Sequence, residues 1–149
     1  MVNSINYFIF DSCISIFPIL DKEILIIEKD FYSKSKCENE NDLHLKIIDK
    51  DLSKGQCSIQ LYIEVKLGFD IYINPLFILD LDLNNKRAKI VSYESTIFPH
   101  IKLNVYTEIS GKIYTNEVAK KDLESLCYNW LQQLNSLKYK PVCRIKTKV

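Results

Sequence analysis

The sequence predicts an α+β fold in which a single antiparallel β-sheet, a meander, is packed by a C-terminal amphipathic helix. Three observations support this prediction. Hydrophobic and polar residues alternate over most of residues 43–107, which is the period of half-buried strands. The connections between the alternating runs are short, whereas parallel strands need crossovers of about a dozen residues. Near the C-terminus the hydrophobic spacing changes to three and four, which is typical of a helix that covers a sheet.

The composition indicates one globular domain. The chain has 149 residues, of which 47% are hydrophobic and 26% charged. These values are close to the average of soluble domains and far from those of disordered chains, so we expect a single domain over residues 1–149. The 20 basic and 19 acidic residues leave a net charge of +1. No overall field therefore directs the chain to nucleic acid or to an anionic membrane.

Residues 7–28 contain hydrophobic blocks that fit a buried helix and a buried strand equally well. Ser12 and Asp21 can each cap a helical turn, and Pro18 fits a helix start or a break between short helices. We favour an N-terminal helical segment. Polar residues interrupt these blocks and no Lys or Arg precedes them, so we predict neither a secretory signal nor a membrane span and expect a cytoplasmic protein.

The middle of the chain is predicted to be a surface loop followed by the sheet. Residues 33–42 are polar, with Cys37 as the only hydrophobic residue, so we interpret them as a loop. The alternating runs after this loop predict strands over residues 43–47, 57–65, 69–73, 77–83, 88–94 and 101–107. Turn-forming residues separate several of them, at 51–55, 74–75 and 84–87.

The C-terminal helix is the clearest predicted element. Its hydrophobic stripe consists of Leu123, Leu126, Cys127, Trp130, Leu131, Leu134 and Leu137. Thr115 or Asn116 can cap its start, and Pro141 prevents its continuation. Because the helix has only the sheet to cover, we expect Trp130 to lie in the core.

No motif assigns a catalytic, cofactor-binding or metal-binding residue. The cysteines are odd in number and contain no C-x-x-C pair, so we expect five free thiols: Cys13, Cys37, Cys57, Cys127 and Cys143. The isolated glycines Gly55, Gly68 and Gly111 exclude a P-loop and a dinucleotide-binding fingerprint. We therefore expect no cofactor and no metal.

Two aspartates and two histidines are the remaining candidates for chemistry. Asp80 and Asp82 lie on one side of a predicted strand, about 7 Å apart, a spacing that fits a divalent ion or an acid–base pair. His44 and His100 are the only histidines. We interpret all four as solvated surface residues, because the exposed face of a sheet requires polar side chains.

The C-terminus carries a basic tail. Its members are Lys138, Lys140, Arg144, Lys146 and Lys148. No nucleic-acid-binding motif accompanies them, so we interpret the tail as a solvated, mobile terminus. The chain has 18 lysines and two arginines, the bias of an AT-rich genome, and its lysines do not by themselves indicate a function.

The stretch from Pro75 to Val91 resembles one segment of the YqiB-like family, small bacterial proteins of unknown function. Pro75, Leu79, Leu81 and Ala88 match that segment without a gap. The similarity extends to an N-terminal helix pattern at Cys13, Phe17 and Leu20 and to the polar-then-Trp-Leu helix pattern over residues 116–131. It covers most of the chain at low identity.

This chain departs from the family at the end of the matched strand. Asp82, Leu83 and Asn84 stand where the family tends to carry Tyr-His-Asp, and Lys86 keeps only a positive charge. The resemblance implies a fold and transfers no catalytic residue. We therefore expect a non-catalytic binding or regulatory module. The alternative is a small enzyme or an accessory factor in nucleotide metabolism that uses Asp80 and Asp82 with one of the histidines.

Overall fold

The computed structural model describes residues 4–20, 32–36, 41–97, 99–137 and 139–144. In these residues helix α1 spans Ile5–Ile16, a 3-10 turn spans Pro18–Leu20 and helix α2 spans Glu117–Ser136. The strands are β1 Tyr32–Lys36, β2 Leu43–Asp51, β3 Gln56–Leu67, β4 Asp70–Asp82, β5 Arg87–Ser95, β6 Ile101–Asn104, β7 Tyr106–Ile109, β8 Lys112–Thr115 and β9 Lys140–Arg144.

Seven of these strands form one antiparallel sheet in the order β6-β5-β4-β3-β2-β1-β9. Strands β1 to β6 are neighbours in the order of the chain, and β9 pairs with β1 at the far edge. The predicted fold class is confirmed: an antiparallel meander is packed by an N-terminal and a C-terminal helix. Strands β7 and β8 form a separate hairpin, because the predicted strand over 101–107 breaks at Val105.

Two sequence predictions about the edge beside β1 are wrong. Residues 33–36 of the predicted loop belong to β1, which pairs on both sides with β2 and β9. Backbone hydrogen bonds to two neighbours stabilise this strand, so it does not need alternating hydrophobic residues. The basic tail is likewise not a free terminus from Lys140 to Arg144, because these residues form β9. Lys138, Lys146 and Lys148 lie outside the described residues.

The predicted N-terminal helix is confirmed as α1, and residues 21–28 of that segment lie outside the described residues. Ile9, Cys13 and Ile16 of α1 are almost fully buried. Ser12 does not cap the helix as expected; its hydroxyl is 2.9 Å from the Gln132 side-chain amide of α2. Helix α1 therefore packs against both α2 and the sheet.

The core lies between one face of the sheet and the two helices. Leu45, Leu61 and Phe77 sit side by side on neighbouring strands and are almost fully buried. Helix α2 contributes a buried stripe to the same core: Leu123, Cys127, Leu131 and Leu134. Asn116 caps this helix, since its Oδ1 accepts a hydrogen bond from the Ala119 N–H at 3.1 Å. Of the two predicted capping residues, Asn116 is thus the one used.

The turns at the end of β2 and the end of β4 pack against each other. The Leu83 N–H donates to the Gly55 carbonyl at 2.9 Å, and the Asn84 side-chain amide donates to the Lys54 carbonyl at 3.4 Å. Gly55 has a φ of +64°, and a methyl group at its Cα would overlap the Asn84 side chain. These contacts join the two hairpins at one end of the sheet.

The opposite end of the β3–β4 hairpin is exposed. Phe69 lies in the turn and is fully exposed, and Leu67 and Ile71 beside it are more than half exposed. The prediction of a half-buried strand over 69–73 is wrong for its first residues, because alternation reports two different faces but not whether either face is covered.

Candidate functional site

A polar cavity of about 350 Å³ lies on the face of the sheet opposite the helices, at the joined ends of the two hairpins. Its lining residues are Asp49, Lys50, Asp51, Gln56, Cys57, Ser58, Asp80, Leu81, Asp82, Arg87 and Lys89. The predicted pair Asp80 and Asp82 is therefore brought together here, on one side of β4 as expected. We call this surface the polar cavity.

Two of the carboxylates in the polar cavity stabilise the turns beside them. Asp51 accepts a hydrogen bond from the Ser53 hydroxyl at 2.6 Å, which is the largest cause that lowers the pKa of Asp51. Partial burial raises the pKa of Asp82, but hydrogen bonds from the Asn85 amides at 2.8 and 3.1 Å outweigh it and hold that pKa below its ordinary value. At neutral pH both carboxylates are therefore ionised, and both already accept hydrogen bonds from residues of their own turns.

Asp80 is also bonded within the protein. The Ser58 hydroxyl donates to it across the strand pair at 2.6 Å. Lys89 lies opposite Asp80 in the register, but its ammonium group sits 4.3 Å from the centre of the Tyr106 ring.

Neither histidine lines the polar cavity. The prediction that His44 is exposed to solvent is wrong, because its side chain is buried. The His44 ring stacks on the Tyr62 ring, with 4.9 Å between the two centroids. His100 is exposed as predicted, with Nε2 2.6 Å from a carboxylate oxygen of Glu94. Among the described residues, no cluster of three or more His, Cys, Asp or Glu side chains is arranged to hold a metal ion.

The cysteines in the described part of the chain contribute no reactive site. Cys13, Cys57 and Cys127 are free and buried, which confirms the prediction for these three. Burial raises the pKa of Cys13 and of Cys57 to about 12 and that of Cys127 well above its ordinary value. These thiols are therefore protonated at neutral pH and poor nucleophiles.

A second concave surface, which we call the apolar groove, lies between α2 and strands β4 and β5. It has a volume of about 240 Å³ and is lined by Asn74, Pro75, Phe77, Tyr93, Leu126, Asn129, Trp130 and Gln133. Phe77 is completely buried at its base. The rings of Tyr93 and Trp130 pack on Phe77, with centroids 5.2 and 5.3 Å from its own.

The prediction that Trp130 is a fully buried core residue is wrong. It packs against the core but remains half-buried, and Leu126 and Leu137 of the predicted stripe are 45% and 40% exposed. The cause is the helical period of about 100° per residue. It places Trp130, Leu126 and Leu137 about 60–100° to one side of Cys127, which is fully buried. All three therefore lie on the flank of α2 rather than on the side that faces the core.

The hydrophobic surface continues from the apolar groove to the sheet edge. Leu103 of β6 pairs with Tyr93, and Ile101 lies two residues away on the same face. Both side chains are 43% exposed. Alternation in the sequence predicts these residues as one face of a strand but contains no signal that the helices stop short of them.

Comparison with known proteins gives no relative: no protein-family model, no curated protein and no solved structure matches the chain. The helices in the described ranges include none that is long and apolar enough to cross a membrane.

Proposed function

We propose that this chain is a non-catalytic binding module that receives a partner protein at the apolar groove. The observation that carries this proposal is the half-buried Trp130, whose ring stands over Phe77 in a concave surface open to solvent. Tryptophan and tyrosine are enriched at the centre of protein interfaces, where a few such anchors supply most of the binding energy. Trp130 and Tyr93 occupy such a position here.

The size and polarity of the apolar groove favour a protein over a small molecule. Its volume of about 240 Å³ is below the ~300–1,000 Å³ of ordinary small-molecule sites, but it fits one or two side chains of a partner. None of its eight lining residues is charged, although 26% of the chain is. A partner therefore contacts it with uncharged hydrophobic side chains, because a charge would lose its water without gaining a partner.

The catalytic alternative receives less support. It requires Asp80 and Asp82 together with His44 or His100, and the polar cavity contains the two aspartates without either histidine.

We also propose that the module is cytoplasmic. On the matches at Pro75, Leu79, Leu81 and Ala88, we propose that it belongs to the YqiB-like family.

Site-specific photocrosslinking in the cells that produce the protein tests the proposal. A photoreactive phenylalanine analogue replaces Asn129 at the rim of the apolar groove, and the matched control carries it at Lys121, an exposed position of the same helix outside the groove. We expect a discrete crosslinked protein from position 129 that is absent from position 121. The same adduct should disappear when Leu126→Glu places a charge in the groove. No adduct at 129, or equal adducts at both positions, would contradict the proposal.

A further inference from the structure

We infer that the partner at the apolar groove is a second copy of this chain, which inserts Phe69 at the tip of its β3–β4 hairpin into the groove. The contact is reciprocal, so each copy contributes one Phe69 and one groove to a two-fold symmetric dimer. This inference rests on the proposed function and names the partner. It derives from residues 64–73, which we call the arm.

The arm extends beyond the strands on either side of it. Strand β2 begins at Leu43, opposite Ile63. The chain that follows β5 bonds to the base of the arm, where the Thr96 N–H donates to the Ile73 carbonyl at 2.9 Å. In the described structure the strand pairing of the arm is between its own two strands. A two-stranded hairpin without further strands or a covering helix is only marginally stable in water, so a surface that covers the arm stabilises it.

The tip of the arm presents a phenylalanine to solvent. Leu67 pairs with Asp70, so Gly68 and Phe69 form a two-residue turn. Gly68 has a φ of +66°, a conformation that glycine supplies at the first central position of such turns. Phe69 is as exposed as it would be in an unfolded chain. Its ring has no contact within its own molecule and is available to a second one.

The face of the arm on the side of the helices is hydrophobic. Ile63 packs against the core, so alternation along β3 places Val65 and Leu67 on the same side. Their cross-strand partners Tyr72 and Asp70 share that face. The arm therefore continues the hydrophobic surface of the groove, since β4 passes directly from the arm into the groove lining.

The length of the arm fits a two-fold axis at Tyr72. Phe69 lies three residues before Tyr72 and Pro75, which lines the groove, lies three residues after it, about 10 Å in each direction at ~3.3 Å per residue. When two arms pack face to face and antiparallel about this axis, Phe69 of each copy lies over Pro75 of the other. Packed sheets are about 10 Å apart, so the second arm lies beside the flank of α2 that forms a wall of the groove.

Charge complementarity also fits a second copy. Asp70 is the one charged residue on this face of the arm. The same axis places it over Asn74 at the rim of the other groove, because the two residues lie two positions before and two positions after Tyr72. The side-chain amide of Asn74 donates hydrogen bonds, so the carboxylate gains a partner while the uncharged ring of Phe69 enters the groove.

The area of this contact approaches what a stable dimer needs. A phenylalanine side chain buries about 150–250 Å² when it is covered. Two such rings and the comparable groove areas that they cover amount to about 600–1,000 Å². The packed faces of the two arms bring the total toward the about 1,200–2,000 Å² of a stable interface.

Sedimentation velocity of the full chain over a range of concentrations tests the inference. Phe69→Ser removes the inserted ring from an exposed position. Leu52→Ser is its matched control, because Leu52 is also an exposed hydrophobic residue of a turn but lies at the opposite end of the sheet. Leu126→Glu places a charge in the groove. Circular dichroism confirms that each variant is folded.

We expect a dimer whose dissociation constant rises about 10-fold or more with Phe69→Ser and with Leu126→Glu, and by no more than about 2-fold with Leu52→Ser. An equimolar mixture of Phe69→Ser and Leu126→Glu should dimerise more tightly than either variant alone. The reason is that an intact Phe69 from one variant then meets an intact groove from the other, a contact that neither variant forms with itself.

Three results would overturn the second copy as the partner: a chain that stays monomeric at ~1 mM, a dimer that tolerates Phe69→Ser, or a mixture that dimerises no better than its components. The proposed function is decided separately, by the crosslink from position 129 in cells. An adduct with a different protein leaves the proposed function standing and overturns the second copy. The absence of any adduct contradicts both.

Discussion

The two sides of α2 contain similar residues and have different surroundings. Toward α1 and the sheet, Cys127 and Leu131 are fully buried. Toward β4 and β5, Leu126 and Trp130 line a groove that is open to solvent. The difference between the sides arises from what faces them, because α1 covers only one. A hydrophobic stripe wider than the core therefore contains both residues that stabilise the fold and residues that remain available to a partner.

The largest contrast between the two sides is expected in thiol reactivity. Cys127 is fully buried and its pKa is raised, so it should react only when the protein unfolds. Under native conditions at pH 8 we expect labelling more than ~10³-fold slower than in denaturant, given stabilities of ~5–15 kcal/mol for ordinary domains. A cysteine introduced by Asn129→Cys, on the groove side, is the matched control and should react at the rate of a free thiol. Peptide mapping by mass spectrometry measures both. Fast labelling of Cys127 under native conditions would show that solvent also reaches the side of α2 that packs against α1.

Truncation on the buried side should cost the most stability. Leu131→Ala removes a fully buried side chain and should reduce the free energy of unfolding by ~2–5 kcal/mol, through lost burial and the cavity left behind. Urea denaturation followed by circular dichroism gives the value. A loss below ~1 kcal/mol would mean that α2 does not contribute to the core at this position.

Truncation of Trp130 should cost less than its size suggests. Full burial would predict ~3–5 kcal/mol, but one side of the ring already faces the groove, so we expect a loss of ~1–3 kcal/mol and a folded variant. The same urea titration measures it, and Trp130→Phe serves as the control that keeps a ring against Phe77. If the Trp130→Ala variant does not fold, Trp130 is a core residue and its assignment to the apolar groove is wrong.

The smallest effect is expected at Leu126. It is nearly half exposed, so Leu126→Ala should change the free energy of unfolding by less than ~0.5 kcal/mol, as surface substitutions usually do. Leu131→Ala provides the comparison, since both replace leucine with alanine on one helix. Equal losses for the two variants would remove the distinction between the sides of α2.

The sequence predicts the elements that have a periodic hydrophobic face, and it misses β1 and β9, which the structure shows as paired strands. Strands β2, β3 and β5 and helix α2 follow from spacing. Spacing left α1 open between a helix and a strand, and it predicts two strands, over 69–73 and 77–83, with a turn at 74–75, where the structure has the single strand β4. Strand β1 does not follow from spacing, since its polar residues contain no period, and β9 has its only described partner in β1. Pairing between segments about a hundred residues apart has no local signal in a single sequence.

The candidate site residues also divide into those that the spacing within one element predicts and those that it does not. Alternation along β4 correctly predicts that Asp80 and Asp82 share a side, because a strand determines the direction of its own side chains. The burial of His44 depends on Tyr62 of the next strand, and the exposure of Trp130 depends on where α1 stops covering α2. Both are properties of packing between elements, which spacing within one element does not report.

The contact between Gly55 and Asn84 links two turns that are distant in the sequence, so a substitution in one turn affects which residues the other turn tolerates. Because the Asn84 side chain occupies the space that a Cβ at position 55 would need, a larger residue at 55 has to displace that side chain from its hydrogen bond to the Lys54 carbonyl. The positive φ of Gly55 adds a further cost to any such exchange. Positions 55 and 84 should therefore covary among homologous chains, and insertions should be absent from both turns.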